Sequence, residues 1–172
     1  MFTVGEVVSY GATGICTIED IRLESLSRAG TKKQEYYILR PVATPTRTTY
    51  VPVANEALTA KMRRIYTKEQ IDALILSVKD QKLEWIDDTR RRADTYGQIV
   101  SQGISAELLK LIACLYLEKK SRSKGGRKFC ATDEKLLSSA ERMVSEEFAY
   151  ALQISPKQVT AYIAEQMGEK EG

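Results

Sequence analysis

The most distinctive chemical feature of the chain is its only tryptophan, Trp85, which is followed by three consecutive arginines, Arg90, Arg91 and Arg92. An apolar ring beside guanidinium groups is the combination with which minor-groove DNA-binding proteins wedge a base step and hold phosphates. On a helix, Trp85 and Arg92 would share one face, two turns apart. The same spacing fits a core tryptophan followed by solvated charges, so the pattern leaves both interpretations open.

A second basic run covers residues 119–128 and holds six Lys or Arg in ten positions. Its serines and the pair Gly125-Gly126 predict a flexible loop between two helices. Such a loop suits phosphate contact, although it suits a merely solvated loop nearly as well. The basic residues that we expect to contact DNA phosphates here are Lys119, Lys120, Arg122, Lys124, Arg127 and Lys128.

The charge is distributed unevenly along the 172 residues, although the whole chain carries only +3. Residues 1–60 are neutral, residues 61–128 carry +7 and residues 129–172 carry −4. Phosphate contacts supply most of the sequence-independent affinity for DNA, so the middle third is the candidate nucleic-acid surface.

Catalysis has little support in the sequence. The chain has no histidine, which removes the commonest general base and metal ligand. The neighbouring carboxylates Asp87 and Asp88 would point about 100° apart on a helix, and the arginines that follow offer them ion-pair partners. We therefore predict a binding protein with no enzyme activity, no cofactor and no metal.

The cysteines and the apolar stretches indicate a cytoplasmic protein. Cys16, Cys114 and Cys130 are odd in number and widely spaced, which forms neither a disulfide framework nor a metal-ligand pattern and suits a reducing compartment. No signal-peptide pattern opens the chain, and the most apolar stretch, residues 108–117, is too short to span a bilayer.

The fold class predicted is α+β. Short runs rich in β-branched residues and tyrosine, broken by Gly and Pro, predict four or five strands within about 55 residues, with a polar hairpin loop over residues 25–34. Strands this short and numerous can curl into a small β-barrel, which removes exposed edges.

After residue 60 the apolar period becomes helical and predicts about five helices. The first is capped by Thr67 and Gln70, the second runs from about Leu83 to Val100, the third starts near Ser105 and the fourth follows Thr132. Residues 155–158 open the last, with Pro in its first turn. The predicted domains are a barrel over 1–60 and a helical domain over 61–172.

Several short motifs resemble, in order and spacing, the CarD/CdnL family of bacterial transcription regulators. They include residues 2–10, Glu35 to Leu39, Tyr50 to Val53 and residues 63–65, and in the helical part Trp85, the Arg-rich turn, Tyr96, Gly103 and residues 146–149. The resemblance covers nearly the whole chain up to about Leu152.

The resemblance implies that the barrel is Tudor- or SH3-like and docks on the RNA polymerase β subunit. It also implies that the helical domain contacts promoter DNA, stabilising the open complex. Trp85 would be the minor-groove wedge and Arg90, Arg91 and Arg92 the phosphate clamp. The polymerase-binding residues would be Glu24, Tyr50 and Pro52, where Glu24 and Tyr50 stand at positions that commonly carry Arg in the family. The implied protein is nucleoid-associated and monomeric, and has neither a membrane nor a small-molecule partner.

The main alternative is a protein adaptor in which the helices form a packing or dimerising module that does not bind DNA. An RNA-binding barrel fits poorly, because residues 1–60 carry no net positive charge and their aromatic residues form no stacking platform.

Overall fold

The computed structural model describes residues 1–26 and 32–168. It divides the chain into two compact units, Met1–Ile65 and Tyr66–Gly172. The first unit is built on an antiparallel sheet and the second on helices, so the α+β class is confirmed.

The described residues of the first unit form a sheet of five strands in the order β4-β3-β2-β1-β5. Their bounds are Val7–Tyr10 (β1), Gly14–Glu24 (β2), Gln34–Pro41 (β3), Thr49–Pro52 (β4) and Met62–Arg64 (β5). Because β4 and β5 lie at opposite edges and each pairs with one neighbour among the described residues, the predicted closed barrel is not confirmed.

A β-bulge in β2 allows this long strand to keep its apolar residues on one face. Ile18 pairs with Leu39 and Asp20 with Ile38, so Glu19 is the extra residue. Because of this extra residue, the side chain of Ile21 lies on the same face of the strand as that of Ile18 and packs against the core. The core side chains of this unit are those of Val8, Cys16, Ile18, Tyr37, Leu39, Val51 and Met62.

The strand β5 was not predicted from the sequence. It has three residues and pairs with β1, and it lies at the end of the first unit, Met1–Ile65. A four-residue helix, α1 (Glu56–Thr59), is capped by Asn55 and separates β4 from β5. Residues 27–31 of the predicted hairpin loop lie outside the described residues.

Over residues 66–168, the second unit consists of five helices, as predicted. They are α2 (Lys68–Val78), α3 (Thr89–Gln102), α4 (Ser105–Lys124), α5 (Ala131–Leu152) and α6 (Pro156–Met167). The side chains of Thr67 and Gln70 form the predicted capping box, and Gly103 ends α3 with a left-handed φ of 66°.

The core of the helical unit is contributed by all five helices. Ile71 of α2, Tyr96 of α3, Leu111 of α4, Phe148 of α5 and Val159 of α6 have no exposed surface. Among the described residues, no helix combines the length and apolarity needed to cross a membrane.

Candidate nucleic-acid and polymerase interfaces

The two basic runs that are separate in sequence meet at one end of the helical unit. Arg92, in the first turns of α3, forms an ion pair with Asp133 in the first turn of α5. Trp85 lies beside both Arg92 and Arg122, the latter in the last turns of α4. We call this group, with the exposed basic residues that flank it on α3 and α4, the Trp85 cluster.

Trp85 does not lie on a helix, contrary to the prediction that a helix starts near Leu83. Residues 81–88 are not helical, and α3 begins at Thr89 because the Asp88 side chain caps it by accepting a hydrogen bond from the Arg91 N–H at 2.7 Å. Asp88 thus serves as a helix cap rather than as the ion-pair partner of the arginines that the sequence predicted.

The indole of Trp85 is partly buried and lies beside two guanidinium groups and an aromatic ring. The Arg92 guanidinium lies 4.2 Å from the ring centroid, the Arg122 guanidinium 5.6 Å, and the Tyr96 ring 6.4 Å in an edge-on arrangement. Trp85 also packs against the apolar core of the unit. Its environment is therefore intermediate between the exposed wedge and the buried anchor considered from the sequence.

Arg92 is buried, which corrects its predicted position in a phosphate clamp. Only 3% of the residue is exposed, and its guanidinium binds both oxygens of Asp133, with Nε–Oδ1 and Nη2–Oδ2 distances of 3.0 and 2.8 Å. These hydrogen bonds raise the pKa of Arg92 above its ordinary value. In this arrangement the Arg92 side chain faces the protein, and its burial keeps it out of reach of a phosphate.

Arg90 and Arg91 are exposed, as a phosphate contact requires. Within residues 1–26 and 32–168, neither side chain has a carboxylate at ion-pair distance. They lie in the first turn of α3, which contains no acidic residue. Cations at the positive end of a helix dipole are unfavourable, whereas an anion bound there is stabilised by the dipole and by the arginines together.

The second basic run is largely helical, not the flexible loop predicted. Helix α4 continues to Lys124, and the turn Gly125-Gly126 follows it. Two members form ion pairs at 2.7 Å, Lys119 with Glu134 and Arg122 with Glu118. The remaining basic side chains of the run, which are exposed and form no ion pair among the described residues, are Lys120, Lys124, Arg127 and Lys128.

Sequence reasoning missed Asp133 and Glu118 as parts of this cluster. Asp133 is only 2% exposed although it is a carboxylate, and its partner is 41 positions away. No local spacing signals such a pair. Glu118 stands four residues before Arg122, a spacing that does indicate a helical ion pair once the helix is known to extend this far.

The three predicted polymerase-binding residues share the face of the sheet opposite its core. Tyr50 and Pro52 flank the core residue Val51 on β4, and Glu24 lies on β2. Tyr50 is 39% exposed, and its ring contacts that of Tyr36 edge-on at 6.2 Å. This face thus presents aromatic surface beside the edge strand β4.

Charged side chains surround that aromatic surface. Arg22 forms ion pairs with Asp20 at 3.2 Å and Glu24 at 2.7 Å, and Arg40 with Glu19 at 2.7 Å. Except for Glu24, these charged residues line a cleft whose lining residues are Glu19, Asp20, Arg22, Ile38, Arg40, Thr48 and Tyr50. A mixed-charge rim around an aromatic centre is typical of a protein–protein interface.

Comparison with known proteins identifies the first unit. Residues 2–66 match the family described as CarD-like/TRCF RID domain, and the match ends where the helical unit begins. No curated protein matches the chain. Domains of this family interact with the RNA polymerase β subunit. Residues 2–66 therefore form a CarD-like/TRCF RID domain, which confirms the family resemblance for the N-terminal unit.

Proposed function

We propose that this protein is a transcription regulator that docks on the RNA polymerase β subunit and contacts promoter DNA, stabilising the open complex. The observation that carries the proposal is the Trp85 cluster, in which an aromatic ring and basic residues from two helices converge in a chain that begins with a CarD-like/TRCF RID domain. The protein would act in the cytoplasm, on the nucleoid, where polymerase and promoters meet.

Polymerase docking is assigned to the edge of the sheet formed by β4. In the part of the chain that the structure describes, this strand pairs with β3 alone, so its other side can add to a strand of a partner sheet. Tyr50 and Pro52 would contact the partner from the outer face, and Glu24 would contribute charge at the rim. Main-chain hydrogen bonds would supply affinity, and these side chains would select the partner.

DNA contact is assigned to the Trp85 cluster. The exposed residues Arg90 and Arg91 would bind phosphates at the start of α3, and the exposed basic residues at the end of α4 and in the following turn would extend the same surface. The partly buried indole of Trp85 would contribute an apolar contact to the groove.

Salt dependence tests this assignment on the full-length chain. Each phosphate contact to duplex DNA contributes about 0.9 to the slope of log affinity against log salt concentration. We expect Arg90→Gln to reduce the magnitude of that slope by about 0.9, the contribution of one contact. The double variant Arg90→Gln with Lys124→Gln should reduce it by about twice that amount. The matched control is Lys157→Gln, an exposed lysine in the first turn of α6, which should leave the slope unchanged.

A companion variant tests the indole. Trp85→Ala removes no charge, so it should weaken binding to a promoter duplex with a preformed bubble while leaving the salt slope as in the wild type. A wild-type slope in Arg90→Gln, or affinity that does not change with salt at all, would remove the basis of the DNA assignment.

The adaptor alternative retains one specific observation in its favour. Three of the residues predicted to contact DNA, Arg92, Lys119 and Arg122, form ion pairs within the protein. A purely structural helical module would use its charges in this way. That alternative would be favoured if the protein binds polymerase but its affinity for DNA does not change with salt concentration.

A further inference from the structure

The guanidinium of Arg92 uses all three of its nitrogens for hydrogen bonds within the protein. Nε and Nη2 bind the two oxygens of Asp133, and Nη1 donates to the carbonyl oxygens of Ile86 at 2.8 Å and Asp87 at 3.1 Å. Arg92 therefore connects the start of α5 to the non-helical backbone immediately after Trp85.

The backbone immediately before Trp85 is held in a similar way. The hydroxyl of Tyr96 donates to the carbonyl oxygen of Glu84 at 2.7 Å. Tyr96 and Arg92 are four residues apart, about one turn of α3. The side chains of this one helix therefore donate hydrogen bonds to the backbone on both sides of Trp85. The Arg92 guanidinium also lies against the indole ring. The orientation of Trp85 thus depends on side chains of α3 and, through Arg92, on α5.

We propose that Asp133 is the positioning residue of the Trp85 cluster: its carboxylate fixes Arg92, and Arg92 fixes the orientation in which Trp85 meets DNA. Arg92 then serves as the support on which the indole stacks instead of as a phosphate ligand. The role in DNA contact rests on the proposed function, whereas the fixing of Trp85 is a property of the free protein and can be measured without DNA.

The side chain of Asp133 suits this role because it is shielded from water and binds Arg92 through both of its oxygens. A carboxylate that binds a guanidinium through two parallel hydrogen bonds fixes the plane of that group, which a single ion contact does not. Its side chain is 3% exposed, so water does not compete for these bonds. Rigid support of this kind is what keeps a binding side chain in its productive orientation.

The test compares Asp133→Asn with Glu134→Gln in the full-length chain. Both variants remove one carboxylate charge from the first turn of α5, but Glu134 forms an exposed ion pair with Lys119. Acrylamide quenching of the single tryptophan reports the freedom of Trp85 directly. We expect quenching to increase in Asp133→Asn, to remain at the wild-type level in Glu134→Gln, and circular dichroism to show that both variants are folded.

A second variant guards against loss of the fold in Asp133→Asn. Arg92→Lys keeps the charge pair with Asp133 but cannot reproduce the planar, bidentate contact, so it should free Trp85 to a similar extent. Wild-type quenching in both Asp133→Asn and Arg92→Lys would overturn the positioning role.

Binding to the bubble-containing promoter duplex completes the test. Asp133→Asn should lose nearly as much affinity as Trp85→Ala, while capture of the RNA polymerase β subunit stays unchanged. Increased quenching with full DNA affinity in Asp133→Asn, when Trp85→Ala binds weakly, would overturn the proposal. Full affinity in Trp85→Ala itself would contradict the proposed DNA contact, and increased quenching would then still support the fixing of Trp85 by Asp133.

Discussion

Replacing Arg92 by methionine should destabilise the helical unit strongly, because it leaves the carboxylate of Asp133 buried without its cation. The two side chains are 4% and 3% exposed and lie 2.8 Å apart. Methionine has a similar length and no charge, so the substitution removes the ion pair while disturbing the packing little. The matched control is Arg142→Met, which removes an exposed arginine that pairs with Glu146 at 3.3 Å.

The magnitude follows from the burial of the pair. Removing one partner of a buried ion pair costs about 3–5 kcal/mol, whereas an exposed pair contributes about 1 kcal/mol or less. Replacing both partners by apolar residues avoids the uncompensated charge, so Arg92→Met with Asp133→Leu should be about 2 kcal/mol more stable than Arg92→Met alone. Some loss remains because the carbonyl groups of Ile86 and Asp87 lose their donor and the indole of Trp85 loses its cation–π partner.

Urea unfolding of the full-length variants provides the measurement. The only tryptophan lies in the helical unit, so its fluorescence follows that unit alone, and circular dichroism serves as a second probe. We expect Arg142→Met to stay within about 0.5 kcal/mol of the wild type. A loss below about 1 kcal/mol in Arg92→Met, or a double variant as unstable as the sum of the two single variants, would refute the assigned role of the pair.

Three further predictions concern the other surfaces. Tyr50→Ala should weaken capture of the RNA polymerase β subunit without moving the unfolding midpoint reported by tryptophan fluorescence, and unchanged capture would exclude Tyr50 from the interface. Iodoacetamide should modify Cys130 before Cys114 at neutral pH, because backbone N–H groups at the start of α5 lower the pKa of Cys130 and burial raises that of Cys114; equal rates by mass spectrometry would contradict this. Glu118→Gln should release Arg122 and so increase both DNA affinity and its salt slope, whereas weaker binding would show that the pair supports the site.

Features set by local hydrogen bonds were predictable from the sequence. The capping box of Thr67 and Gln70 starts α2 as expected, and the glycine Gly103 ends α3 in the left-handed conformation that glycine favours. The strands rich in β-branched residues and the change to helical period after residue 60 also follow from patterns within a few neighbouring positions. The family resemblance of the first unit was likewise recognisable from short motifs of a few neighbouring residues.

Element boundaries that depend on distant partners were not predictable. The short strand β5 exists because β1, more than fifty positions earlier, supplies its hydrogen bonds. The segment before Thr89 has apolar residues at the spacing of a helix. It is not helical, and its carbonyl groups accept hydrogen bonds from the side chains of Tyr96 and Arg92 instead. The basic run was predicted to be a loop, but helix α4 continues through it to Lys124. No glycine or proline interrupts the helix before Gly125.

The sequence by itself determined which residue types the candidate DNA surface contains, namely one tryptophan and two basic runs. Only the tertiary structure decided which of the arginines face solvent. Arg90 and Arg91 remain exposed, whereas their neighbour Arg92 is buried by Asp133, 41 positions along the chain. Three consecutive residues on a helix point about 100° apart, so the packing of α3 against α5, rather than the run of arginines, assigns each side chain to water or to the core.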